Sequence, residues 1–215
     1  MKITLFGAAG KMGRRITKEA ADRGHKLTAV VRDYNELVAE DGLVNVVRCD
    51  ATSLEDVAHY CATADVVIAA TKPPVGSEAQ LLESTSTLLE CLANTPIRLI
   101  ISGGAASLQI PDMPNALLLH DNRYMSESAF AIGKACLDQL NLCRASKNVN
   151  WTYLSPSALL LPGKRTGNFR LGADELLIDA SGRSSISMED LAVALLDEAE
   201  QAQFVKRRFT ARRKR

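Results

Sequence analysis

The sequence predicts an α/β fold: one doubly wound parallel sheet, with a small lobe towards the C-terminal end of the chain. Three observations predict it. Apolar runs of strand length alternate with helical patterns from Lys2 to Leu154. The first run leads straight into three glycines, Gly7, Gly10 and Gly13, and from them into a helix. A later run, Asp65–Ala70, is almost continuously apolar, as a strand covered on both faces of a parallel sheet must be. Strand–helix alternation of this kind implies parallel strands joined by right-handed crossovers.

Each element follows from its own pattern. Lys2–Phe6 is strand one. Lys11–Arg23 carries Met12, Ile16 and Ala20 on one helical stripe and stops at Gly24, the residue type that closes helices most readily. Lys26–Val31 and Val44–Arg48 are strands two and three. Ser53 caps a helix running to Cys61, with Asp56 three residues on as an approximate capping box. Asp65–Ala70 is strand four. Ala79–Ala93 is a helix with Leu81, Leu82, Leu88, Leu89 and Leu92 inward, and Ile97–Ile101 is strand five. Asp121–Lys147 reads as one long helix with Ile132, Cys136, Leu140 and Cys143 on one side. Trp151–Leu154 is strand six.

After Pro156 the rhythm changes. Residues 157–187 are rich in Gly, Pro and short apolar pieces, with a strand expected at Glu175–Asp179. They are read as a substrate lobe over the C-terminal ends of the strands, where open α/β sheets bind ligands. Residues 188–215 supply a closing helix with Leu191, Leu195 and Leu196 inward, a final strand at Phe204–Ala211 and a basic tail. No repeat or linker divides the chain, so residues 1–215 are expected to form a single domain.

Composition narrows the function class. At 215 residues the chain is long enough for one sizeable core. No apolar run approaches the roughly 20 residues of a membrane span, and no secretory leader precedes strand one, so no membrane is expected and a cytoplasmic location is. The five cysteines, Cys49, Cys61, Cys91, Cys136 and Cys143, contain no C-x-x-C, which argues against a disulfide framework or a zinc site. The net charge of +1 hides an asymmetry: residues 206–215 carry seven Lys or Arg and no acid, which leaves the remainder at −6. One short basic stretch on an acidic body makes a poor nucleic-acid face. It reads instead as a final strand with a solvated end.

The glycines carry the chemistry. One permits a tight turn, one lets backbone approach a pyrophosphate, and one lets helix and strand pack closely. The helix N-terminus then offers N–H groups and a partial positive charge to phosphates. Gly7, Ala9, Gly10, Lys11, Met12 and Gly13 are therefore assigned to a dinucleotide in a Rossmann-type sheet, with Arg14 a candidate for added charge. The end of strand two selects the dinucleotide. Arg32 is the first residue past that strand, and its guanidinium suits a 2′-phosphate, so NADP is expected. Adjacent Asp33 could instead accept from a ribose hydroxyl, which leaves NAD as the alternative. Asp50 and Ala51 follow strand three at the adenine, and Ala70 and Thr71 follow strand four along the adenosine.

These residues resemble a family. Gly7-Ala-Ala-Gly-Lys-Met-Gly13, the Val-Val-Arg-Asp that ends strand two, Arg48-Cys-Asp50-Ala, Ile101-Ser-Gly-Gly-Ala-Ala106 and Trp151-Thr-Tyr-Leu-Ser-Pro156 together resemble the atypical short-chain dehydrogenase/reductases. The likeness is to the NAD(P)H-binding, NmrA-like branch that includes flavin reductase/biliverdin reductase B-like proteins. The resemblance implies an NAD(P)H-dependent oxidoreductase, with Ser102 in the place of the family serine and Tyr124 lining the pocket. The chain departs from the pattern at one place. The Tyr-x-x-x-Lys of classical members, in which lysine lowers the tyrosine pKa for proton donation, is absent. Ser128 lies four residues after Tyr124, and the nearest lysine of that helix, Lys134, lies ten residues after it.

Carbonyl reduction needs a positioned acid, whereas reduction of a flavin or quinone needs mainly hydride delivery. A small-molecule acceptor of flavin or quinone type is therefore expected. A non-catalytic NAD(P)-sensing regulator of NmrA-like type and a sugar-nucleotide epimerase or dehydratase are the alternatives. The long helices offer a surface for a homodimer. His120-Asp121 reads as a loop histidine followed by a helix-capping aspartate, and no metal cluster is expected.

Overall fold

The computed structural model describes residues 1–34, 44–111, 113 and 115–214. The N-terminal part contains β1 (Lys2–Phe6), α1 (Lys11–Asp22), β2 (Lys26–Val31), β3 (Val44–Arg48), α2 (Leu54–Cys61), β4 (Val66–Ala69), α3 (Ala79–Cys91) and β5 (Arg98–Ser102). It continues through α4 (Glu127–Ala145), β6 (Asn150–Ser155), β7 (Leu159–Leu161), β8 (Phe169–Gly172), β9 (Ser185–Ser187), α5 (Met188–Gln201) and β10 (Arg207–Arg213). Eight strands form one sheet in the order β3-β2-β1-β4-β5-β6-β10-β8. All neighbours in it run parallel except β8, which is antiparallel to β10. β7 and β9 pair separately.

Alternation along the strands builds a core on each face. Leu5, Ala29 and Ile68 turn towards Ile16 and Ala20 of α1 and Leu191, Leu195 and Leu196 of α5. Phe6, Val67 and Ile101 turn the other way, towards Val57 of α2, Leu88 of α3 and Leu140 and Cys143 of α4. The strand order reverses between β1 and β4. That reversal is the switch point beside which open α/β sheets form their crevice. Among the described residues no helix is long and apolar enough to cross a membrane.

The Ser53 cap forms as expected, its Oγ accepting from the Asp56 N–H at 3.3 Å. Two expected elements differ. The long helix begins at Glu127, not Asp121. The Asp121 side chain accepts from the Arg123 N–H at 2.9 Å and also holds the Arg123 guanidinium, and such a local turn competes with helix. The strand expected at Glu175–Asp179 does not form. Glu175 makes only an isolated bridge with Gln109, and the chain turns just after Asp179, whose carboxylate accepts from the N–H groups of Ser181 and Arg183 at 2.9 and 3.0 Å. The strand that does pair with β10 is β8.

Two buried carboxylates tie α5 and α1 to their surroundings. Glu198 is 3% exposed. It accepts from the Thr152 hydroxyl at 3.1 Å and from the backbone N–H groups of Gln203 and Phe204 at 2.9 and 3.1 Å, and it also binds the Arg98 guanidinium. Removing one partner of a buried pair leaves the other charge desolvated. Glu198→Ala is therefore expected to lower the unfolding free energy by about 3–5 kcal/mol, read from urea denaturation.

Glu19 on α1 accepts from Arg165 at 2.6 and 2.8 Å and from Arg23 at 2.8 Å. The Arg165 hydrogen bonds, then those from Arg23, hold its carboxyl below the ordinary value of 4.5. A depressed folded pKa contributes stability that is present above the unfolded value and lost as pH falls through the folded one. Glu19→Gln is expected to be less stable than the parent at pH 7, with the difference shrinking as pH drops below about 4.5. Thermal melts across that range measure it.

Candidate functional site

The C-terminal ends of the central strands share one edge. Phe6 lies beside Ala69, Ala69 beside Ile101, and Ser102 beside Leu154. Gly7, Ala70 and Ser102 therefore follow one another along that edge from β1 to β5.

The first turn is set by sterics. Gly7 has φ +81°, and a Cβ on it would lie 2.6 Å from the Ala70 carbonyl oxygen. A Cβ on Gly13 would lie 2.1 Å from the Gly7 carbonyl oxygen. Both positions exclude a side chain because backbone meets backbone. Gly10 differs: it is exposed, and a Cβ there would come no closer than 3.3 Å to the protein. That contact is tight but asks for a shift of only a few tenths of an ångström, far less than at Gly7 or Gly13, and otherwise the bare backbone leaves open space in front of α1. Gly10 is also the N-cap of α1, with no side-chain cap and no acid in the first turn. The helix presents its N–H groups and partial positive charge uncompensated, a combination that fits a pyrophosphate. Ala9 and Met12 pack onto the core beneath. Lys11 is exposed, and its carbonyl accepts from Arg15. Arg14 donates to the Ala9 carbonyl at 2.9 Å and so braces the turn. Arg15 pairs with Glu189 of α5 at 2.6 Å.

Across β2, Arg32 and Asp33 are exposed just past the strand end. Asp50 accepts from the Thr52 N–H at 2.9 Å and the Thr52 hydroxyl at 2.8 Å. These bonds, and the nearby Arg32 charge, hold the Asp50 carboxyl below its usual range. Arg32 and Asp50 thus share one end of the crevice, although one Asp50 oxygen is already engaged. Ala51 is half-buried against the core. Ala70 is buried with its N–H on the Phe6 carbonyl, and Thr71 is half-buried.

At the other end, Ser102 is half-buried and followed by Gly103 and Gly104. A Cβ on Gly103 would lie 2.0 Å from the Tyr153 ring. The buried Tyr153 hydroxyl accepts from the Gly104 N–H at 3.2 Å and donates to the Cys136 carbonyl at 2.9 Å. Burial pushes its pKa well up. Sequence reading left Tyr153 out of the site, and the Gly103-Gly104 doublet was the signal that a large side chain lies against this loop.

Tyr124 lies before α4, not within it. Its hydroxyl donates to the Gly182 carbonyl at 3.2 Å, and it packs against the cluster of Leu108, Ile110, Leu118 and Leu176. Lys134 pairs with Asp138 at 2.7 Å. His120 ends a 3-10 turn, Leu118–His120, and neighbouring Asp121 spends its carboxylate on Arg123 without capping α4. His25, which has no evident partner in the sequence, meets Glu200 at 2.8 Å. Burial raises the Cys136 thiol to about 11 and the Cys49 and Cys143 thiols to about 12, so they stay protonated and inert as nucleophiles. Among the described residues no His, Cys, Asp and Glu group could hold a metal.

A glycine-lined turn opening onto an uncapped helix at the switch point defines a Rossmann-type dinucleotide-binding protein. The sequence model of the NAD(P)H-binding family matches residues 7–202. The chain belongs to that family, among the atypical, NmrA-like short-chain dehydrogenase/reductases. The uncharacterised protein YwnB of Bacillus subtilis strain 168 is 34% identical over 214 residues, covering 98% of this chain and 97% of YwnB. A structure from Streptococcus pneumoniae, called a "putative NADH-flavin reductase", superposes with TM-score 0.90 at 30% identity over 100% of both chains. One from Bacteroides thetaiotaomicron, called a "putative epimerase", gives TM-score 0.90 at 34% identity over 100% of this chain and 97% of the other.

The two exposed and buried glycines should separate binding from folding. Gly10→Ala is expected to keep the melting temperature within a few degrees and to weaken NADPH binding at least tenfold. Gly13→Ala should lower the melting temperature as well. Differential scanning calorimetry and fluorescence titration of NADPH test the pair.

Proposed function

We propose that the protein is an NADPH-dependent reductase whose acceptor is a flavin or a quinone. The observation that carries this reading is the bare Gly10 backbone at the head of uncapped α1, on the same sheet edge as Ser102. Gly7, Gly10 and Gly13 with the α1 N-terminus hold the pyrophosphate, Arg32 meets the 2′-phosphate, and Ala70 and Thr71 flank the adenosine side. A bound reduced nicotinamide supplies a hydride. Ser102 orients the reacting end of the site, and Tyr153 keeps the loop beyond it in place by filling the space beside Gly103.

The acceptor class follows from the proton. The Tyr124 hydroxyl is committed to Gly182 and lacks a lysine, and Lys134 is committed to Asp138. With no activated phenol, an acceptor whose reduced form takes its proton from water suits the site better than a ketone. The same lack weighs against epimerase chemistry, which also passes protons at a sugar hydroxyl. The Streptococcus pneumoniae relative's description as a "putative NADH-flavin reductase" supports the flavin part of the reading.

Following NADPH absorbance with FMN and then a quinone panel tests it. Turnover is expected with at least one, and tight NADPH binding without turnover across the panel would turn the reading into that of a sensor. Arg32→Ala is expected to raise KM for NADPH about tenfold and to change KM for NADH less than twofold, which erases the preference between them. An unchanged NADPH KM would refute the 2′-phosphate assignment.

A further inference from the structure

A second cleft opens at the far end of the same sheet edge. It has a volume of about 460 Å³ and is lined by Asn168, Asp179, Arg183, Arg212, Arg213 and Lys214 among others. Four of these six side chains are cationic and one is acidic. Arg213, Lys214 and Arg183 are exposed. Arg212 is not: it is 7% exposed, and its Nη2 lies 3.0 Å from Asp179. The Arg212 Nε is buried with no hydrogen-bond partner. The single acid is already heavily used, because Asp179 also accepts from the N–H groups of Ser181 and Arg183 and from the Ser181 hydroxyl at 2.6 Å. The exposed Arg183, Arg213 and Lys214 thus surround one carboxylate that is already engaged. An oxyanion completes such a set, since charge-assisted bonds to phosphate or carboxylate match guanidinium and ammonium donors.

The placement says whose anion it is. β10 runs parallel to β6 with Thr210 beside Ser155, so Arg212 to Lys214 continue past the same edge on which Gly7, Ala70 and Ser102 lie. β10 is two strand spacings from β5, about 10 Å across the sheet. The hydroxyls of Ser155 and Thr210, which lie between, are also buried without partners. The family's nucleotide turn is at Gly10, on the other side of β5, and uses none of these residues.

We propose that this cleft is an oxyanion subsite that holds the phosphate or carboxylate tail of the acceptor, so that anionic acceptors are preferred over their neutral counterparts. The proposal rests on the reading that the acceptor binds along this edge of the sheet. It separates FMN, which carries a phosphate, from riboflavin, which does not.

Flavin binding is titrated by fluorescence quenching, with NADP+ present to fill the turn at Gly10 and no reductant. The parent is expected to bind FMN at least tenfold more tightly than riboflavin. The Arg213→Gln/Lys214→Gln variant, checked for folding by circular dichroism, is expected to lose that preference. Inorganic phosphate should compete with FMN in the parent. Equal affinity for the two flavins in the parent, or a preference retained in the folded variant, overturns the proposal. Phosphate raising the melting temperature of the parent and not of the variant, without any preference for FMN, also overturns it, because the site would then serve a free anion. No hydride moves in this titration. A protein that prefers FMN here yet never oxidises NADPH refutes the reductase reading and leaves the subsite standing.

Discussion

The ligand edge depends on how closely the backbone of helix α1 approaches the Gly7 carbonyl. That approach leaves no space for a Cβ at residue 13, and the neighbouring approach of Ala70 leaves none at residue 7. Close packing of this kind is unforgiving, because dense interiors have no slack to absorb an added carbon. It sets the direction of α1, which joins the rest of the molecule through the apolar stripe of Ile16 and Ala20 and, around it, through charge. Arg15 meets Glu189, Arg23 meets Asp197 and Glu200, and Glu19 meets Arg165. α5 in turn grips the far strands through Glu198, which binds Arg98 of β5 and Thr152 of β6. A path of contacts thus runs from the first glycine turn through two helices to the strands β5 and β6, whose C-terminal ends carry Ser102 and Leu154.

The central sheet was legible because its strands obey period and composition at once. β4 is apolar on both faces and could be nothing but a covered strand. The α1 and α5 stripes match the residues that are buried in them. Legibility failed where a side chain captured nearby backbone. Asp121 and Asp179 each sit in stretches whose average pattern reads as regular structure, yet each carboxylate takes local N–H groups and bends the chain. Such competition is set by a few hydrogen bonds of about 1 kcal/mol each, too small a signal for apolar periodicity to carry.

The nucleotide half of the site was readable for a different reason. Its requirements are steric and backbone-based, and glycine is their visible mark. The end of the edge beside Ser102 has no such mark. Its shape depends on Tyr153, three strands away from Gly7 in the sheet order, reaching across to Gly103 and Gly104. Tyr124 looked like a pocket residue through a family comparison. Its hydroxyl is instead bonded to Gly182 on the lobe, so the tyrosine position carries a structural hydrogen bond in this chain. The sequence therefore spoke more clearly about what donates electrons than about what receives them.

The basic end of the chain shows how charge counts mislead without topology. Seven cations in ten residues read as a final strand at Phe204–Ala211 followed by a solvated end, and the strand forms as Arg207–Arg213. Yet β10 alternates: Phe209 and Ala211 enter the α1–α5 core, and Arg208 and Arg212 turn to the opposite face and are buried there. Burying a guanidinium is costly unless it is paired. The partners are Asp174, just before the segment expected to be a strand, and Asp179, its last residue. Asp179 therefore does two things with one carboxylate: it turns the chain just past the expected strand, and it neutralises a charge on β10. The pairing is incomplete at Arg212, whose Nε remains without an acceptor. Arg98 and Arg208 share such an unpaired, inaccessible Nε, so the orphaned donor is a cost of burying guanidinium groups in this fold and not a feature of the cleft wall. The buried pair instead anchors β10, and it is the exposed Arg183, Arg213 and Lys214 around it that give the cleft its positive charge.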